Sequence, residues 1–157
     1  MELFPDYEDL LRAFNAHNVK YLIVGAYAVA YHTEPRFTKD IDIWARPDKM
    51  NAKRVYDALA AFGAPLTNVR ANDFATRGTV YQIGVAPVRI DIITELGGIS
   101  FEAAWKGRNS TKYGKTPVNV IGINELIAVK QKAGRGQDNL DVDKLAKAKR
   151  EKARPKP

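Results

Sequence analysis

The apolar positions of the chain switch repeatedly between helical and strand spacing, and the switches divide it into short alternating elements. Residues 7–16 place Leu10, Leu11 and Phe14 three and four apart behind Pro5, which predicts an amphipathic helix. Residues 19–24 form a continuous β-branched and aromatic run, read as a buried strand that Gly25 ends. An alanine-rich helix is predicted over 26–32, broken by Pro35, and a second strand over 38–45 with clean alternation. Pro47 and Asp48 start a helix with Val55, Leu59 and Phe62 on one face, and Gly63 stops it. Residues 79–84 and 88–94 read as a hairpin, Gly97-Gly98 opens a less regular stretch around Phe101 and Trp105, and 116–121 is a last strand. Asn124 is placed as the cap of a helix reaching about Ala133, and a final helix starts near Asp138. Helices alternating with strands predict an α/β (α+β) fold, with a sheet covered by helices, and argue against a bundle or a sandwich.

Length and charge narrow the picture. At 157 residues and 45% hydrophobic content the chain suits one domain around one core. It has no cysteine and 2 histidines, which excludes thiolate zinc sites, disulfides and cysteine nucleophiles, and makes a histidine-based site hard to build. The longest apolar run, residues 21–31, is too short to span a bilayer, and the start of the chain is acidic where a signal peptide is basic. The expectation is therefore a cytoplasmic protein with no membrane partner. Of the net charge of +7, the stretch 144–157 carries +6, with Glu151 as its only acid. Residues 1–143 are read as the single domain, helical from about 123, and 144–157 as a flexible basic tail that is either a phosphate-polymer contact or a solubilising end.

Asp40 and Asp42 are the most informative residues. Two residues apart on a strand whose alternate positions are Ile41 and Ile43, they share one face, with Cα atoms about 6.6 Å apart. Adjacent carboxylates repel, and a divalent cation offsets that repulsion, although an Asp-x-Asp alone is equally a solvated strand face. Asp91 has the same parity in a second strand, Val88-Arg89-Ile90-Asp91-Ile92-Ile93. If the two strands are neighbours, three carboxylates share a face, as a metal-assisted phosphoryl-transfer site requires. Gly25-Ala26, where a strand turns into a helix, offers backbone N–H groups to a phosphate. Arg89 is read as an ion-pair partner of Asp91, and Trp44, Phe101 and Trp105 as packing residues.

These residues carry a resemblance. Val24-Gly25-Ala26-Tyr27, then Arg36-Phe37-Thr38-Lys39-Asp40-Ile41-Asp42, then Arg89-Ile90-Asp91, is similar to the DNA polymerase β-type nucleotidyltransferase superfamily, and within it to small bacterial AbiEii-like proteins related to toxins of toxin–antitoxin systems. Lys130, Arg135, Asp138 and Asp141 resemble the last motifs of that group. The resemblance implies a nucleotidyltransferase fold with a mixed sheet flanked by helices and a helical C-terminal segment. It implies an enzyme that moves a nucleoside monophosphate from a nucleoside triphosphate to an acceptor and releases pyrophosphate. Asp40, Asp42 and Asp91 are then catalytic and hold Mg²⁺ (or Mn²⁺), while Gly25, Ala26, Arg36, Thr38, Lys130 and Arg135 contact the nucleotide. RNA, with a tRNA end foremost, is the implied acceptor, and an antitoxin protein the implied partner. Asp138 and Asp141 either complete that site or cap the final helix. Ala26 departs from the usual serine or glycine of the turn, which keeps open a non-catalytic nucleotide- or RNA-binding module of the same fold acting as a regulatory partner.

Overall fold

The computed structural model describes residues 3–34, 40–85 and 88–153. Among the described residues six helices and six strands follow in the order α1 (Pro5–Ala16), β1 (Tyr21–Val24), α2 (Gly25–His32), β2 (Asp40–Ala45), α3 (Lys49–Phe62), β3 (Val80–Val85), β4 (Val88–Ile93), α4 (Phe101–Lys106), β5 (Asn109–Tyr113), β6 (Thr116–Val120), α5 (Ile123–Ala133) and α6 (Gly136–Ala153). A short 3-10 turn, Ala71–Ala75, precedes β3. The strands form one mixed sheet in the order β3-β4-β2-β1-β6-β5. β1 runs antiparallel to β2, and β2 runs parallel to β4, so the sheet is mixed.

Local chemistry explains most boundaries. Pro5 opens α1 where no N–H is needed. The Asp48 carboxylate accepts from the Asn51 N–H and starts α3, and Gly63 ends it at a φ of 95° that a side chain would resist. Ile41, Ile43, Ile90 and Ile92 are buried, and Phe14 of α1 packs edge-on against Tyr21. α1 and α3 lie against one another, and α2, α5 and α6 make a second group of mutual contacts.

Three sequence expectations are corrected. The stretch after Gly97 is regular: Ser100 caps α4, and β5 pairs antiparallel with β6. Asn124 is not a cap; Gly122 holds that position, and α5 begins at Ile123. The basic segment from residue 144 continues α6 as helix to Ala153, because buried Leu145 extends the face that carries Asp138 and Asp141. Among the described residues no helix is long and apolar enough to cross a membrane.

Candidate active site

The strand alternation of β2 sets the site. Ile41 and Ile43 are wholly buried, whereas Asp40 and Asp42, on the opposite face, are partly open. In the parallel ladder to β4, Asp40 lies opposite Arg89 and Asp42 opposite Asp91. Residues opposite one another in a ladder point to the same side, so the expected neighbour relation holds and the three carboxylates share a face with Arg89. The Arg89 guanidinium lies 3.6 Å from Asp40 and 3.3 Å from Asp91, the latter pairing as the sequence reading expected. Its reach to Asp40 was invisible without the register of the two strands. The Tyr7 hydroxyl donates to the Arg89 carbonyl and ties α1 to this strand.

β1 brings the glycine turn to the same place. Val24 is opposite Asp42 in the antiparallel ladder, so Gly25 lies beside that carboxylate. Gly25 has a φ of 68°, and a β-carbon there would overlap Oδ2 of Asp42. α2 starts at Gly25 with no side-chain cap, which leaves the N–H groups of its first turn to a ligand or solvent. Ala26 is exposed at that start.

The electrostatics are those of crowded acids. Burial, and then the charge of Asp91, push the Asp42 carboxyl up to about 6; Asp40 adds to the rise and Arg89 opposes it. Oδ1 of Asp91 and Nε of Arg89 are buried without a hydrogen bond among the described residues, since their 3.3 Å approach is ionic and not hydrogen-bonded. A cation of higher charge than one guanidinium suits this set: hard carboxylate oxygens, one of them unsatisfied, and a carboxyl raised by its neighbours. Among the described residues no three acids or histidines already converge as a finished metal cage. Any divalent ion held here would take its remaining ligands from substrate or water.

The remaining expected site residues divide. Lys130 lies 3.3 Å from both Asp138 and Asp141, and Arg135 Nε donates to Asp138 at 2.6 Å. Arg135, and after it Lys130, hold the Asp138 carboxyl below its ordinary value. The two acids are buried, so the α5–α6 joint is an ion-paired cluster next to α2. Asp138 also accepts from the Arg135 N–H within the first turn of α6, which gives it the structural part of its expected alternatives. Arg36 and Thr38 lie outside the described residues. Tyr27, near the glycine turn, is buried against Tyr113.

Comparison with known proteins gives the same frame. Residues 3–154 match the family described as "Nucleotidyl transferase of unknown function (DUF2204)". No curated protein matches the sequence. Among solved structures, the lincomycin-bound lincosamide antibiotic adenylyltransferase LnuA is similar with a TM-score of 0.60 at 16% identity, over 94% of this chain and 99% of that one. The antibiotic-resistance factor ANT(2'')-Ia is similar with a TM-score of 0.61 at 12% identity, over 94% and 83%. An antigenic nucleotidyltransferase-like protein from Paracoccidioides brasiliensis follows at 0.53 and 14%, over 93% and 77%. At these identities the likeness is one of fold.

Proposed function

The chain belongs to the DUF2204 nucleotidyl transferase family, and on that premise we propose that Asp40, Asp42 and Asp91 carry out the transfer of a nucleoside monophosphate from a nucleoside triphosphate to an acceptor hydroxyl. The observation that carries the reading is the placement of these carboxylates on one sheet face beside the Gly25 turn. They would hold a divalent cation, Mg²⁺ with Mn²⁺ as its substitute, which when bound supplies the positive charge that a triphosphate needs. Gly25 and Ala26 present backbone N–H groups to phosphate oxygens at the start of α2. Asp91, with an unsatisfied oxygen, takes the proton of the attacking hydroxyl. The hydroxyl oxygen bonds to the α-phosphorus, the bond from that phosphorus to the bridging oxygen breaks, and pyrophosphate leaves. Lys130 and Arg135 are proposed as nucleotide contacts on the α5–α6 side, where Asp138 and Asp141 hold them in place. Arg36 and Thr38, which precede β2, are proposed as further nucleotide contacts.

RNA is the acceptor this reading favours. α6 presents Lys144, Lys147, Lys149, Arg150 and Lys152 to solvent, a charged helix suited to a phosphate backbone. Likeness to the AbiEii-like group supports a toxin role in the cytoplasm with an antitoxin protein as partner. A small hydroxylated acceptor is the second reading, favoured by the fold neighbour that adenylylates a lincosamide antibiotic.

The test is incubation with each α-³²P-labelled triphosphate, Mg²⁺ and total tRNA or a set of hydroxylated small molecules, with Asp40→Ala/Asp42→Ala as control. Label in RNA that depends on both acids supports the first reading, and label in a small molecule the second. Metal-dependent triphosphate binding without transfer, lost in the control, points to an acceptor outside the set, and the absence of both binding and transfer turns the account towards the non-catalytic regulatory module that Ala26 keeps open. Growth arrest on induced expression, relieved by the acid-free variant, tests the toxin role.

A further inference from the structure

A cavity of about 330 Å³ lies at the end of β2 far from Asp40, and none of the three site carboxylates lines it. Trp44 and Phe101 make its apolar wall, their rings edge to face at 5.1 Å. Arg46, Arg77, Glu95 and Glu102 line the polar side. Arg46 is already committed, 3.0 Å from Asp48 and 2.7 Å from Glu102. Arg77 and Glu95 are exposed and have no ion pair or hydrogen bond among the described residues. Trp44 is buried, and its Nε1–H lacks a hydrogen-bond partner among the described residues. The cavity thus combines an aromatic wall, an uncommitted cation and an uncommitted anion. Its volume lies in the range of small-molecule sites.

We propose that this cavity binds a small zwitterion with an apolar body, of the α-amino acid class. Its carboxylate pairs with Arg77, its ammonium with Glu95, and its apolar body lies against Trp44 and Phe101. Arg46 is shared between Asp48 and Glu102, so that side of the rim keeps one net negative charge, which adds to the pull of Glu95 on the ammonium. A simple amine would leave Arg77 unmatched, and a simple acid would leave Glu95 unmatched, so the pair selects for both groups at once. The inference does not rest on the transfer reading, because no carboxylate of that site takes part.

The test uses the full chain with Trp105→Phe, which leaves Trp44 as the only indole, and follows its N–H resonance by ¹H–¹⁵N NMR. Phenylalanine, phenethylamine and 3-phenylpropionate are titrated in parallel. The expected result is a saturable shift with phenylalanine and binding at least about tenfold weaker for the two single-charge compounds. Arg77→Ala and Glu95→Gln, both at exposed positions and therefore safe for folding, are each expected to weaken phenylalanine by about tenfold. No saturable shift up to about 10 mM, equal binding of all three compounds, or variants that bind like the parent would each overturn the proposal.

Discussion

Gly25 and Asp42 occupy neighbouring positions so tightly that a β-carbon on the glycine would overlap the Asp42 Oδ2. The glycine turn and the paired acids are therefore one unit: the absent side chain leaves room for a carboxylate, and the positive φ points α2 away from β1. Gly25→Ala must either displace Asp42 or distort the turn. It is expected to destabilise the protein by about 1–3 kcal/mol and to reduce transfer at least about a hundredfold. Thermal melting and single-turnover transfer check the two effects.

Asp42 gives a pH signature. Its carboxyl rises from 3.8 to about 6 in the fold, so the native state holds a proton that the unfolded chain has released. Between those values the native state binds more protons, and stability falls as pH rises through the window. Asp42→Asn removes that loss. The variant is expected to be more stable than the parent at pH 7 by about 1–3 kcal/mol, and the gap to close below about pH 4. Denaturant unfolding across pH 4–8 measures it.

Arg89 stands among the acids as a counter-charge, 3.6 Å from Asp40 and 3.3 Å from Asp91. Arg89→Ala leaves the carboxylates to repel one another. The metal-free variant is expected to melt below the parent, and Mg²⁺ to raise its melting temperature by more than it raises the parent's. Equal Mg²⁺-induced shifts in parent and variant would contradict that role.

Lys130 balances two buried acids. Lys130→Ala strands Asp138 and Asp141 with fewer partners, whereas Lys147→Ala on α6 removes only an exposed charge. The first variant is expected to lower the melting temperature clearly and the second hardly at all. Asp138→Asn added to Lys130→Ala is expected to recover part of the loss, which a double-mutant cycle measures.

The site was legible where one strand's alternation decides the facing, and illegible where two strands must be aligned. Ile41 and Ile43 between the aspartates, and Ile90 and Ile92 around Asp91, gave each acid its face from parity alone. That β2 lies beside β4, with Asp42 opposite Asp91, depends on long-range pairing that periodicity does not encode. β5 went unseen because Asn109-Ser110-Thr111-Lys112 is an exposed edge without apolar alternation. α4 went unseen because six residues are too few to show a helical period. The length of α6 was underestimated because Leu145 is its last buried apolar anchor before a run of lysines, and charge density alone reads as a frayed end.

The most direct test of the central claim is calorimetric titration of a non-hydrolysable nucleoside triphosphate analogue with and without Mg²⁺, on the parent and on Asp42→Asn, because it needs no acceptor. The account predicts binding in the range of about 1–100 μM that requires Mg²⁺ and is lost in the variant. Binding of equal strength without metal, or unchanged binding by Asp42→Asn, would contradict it.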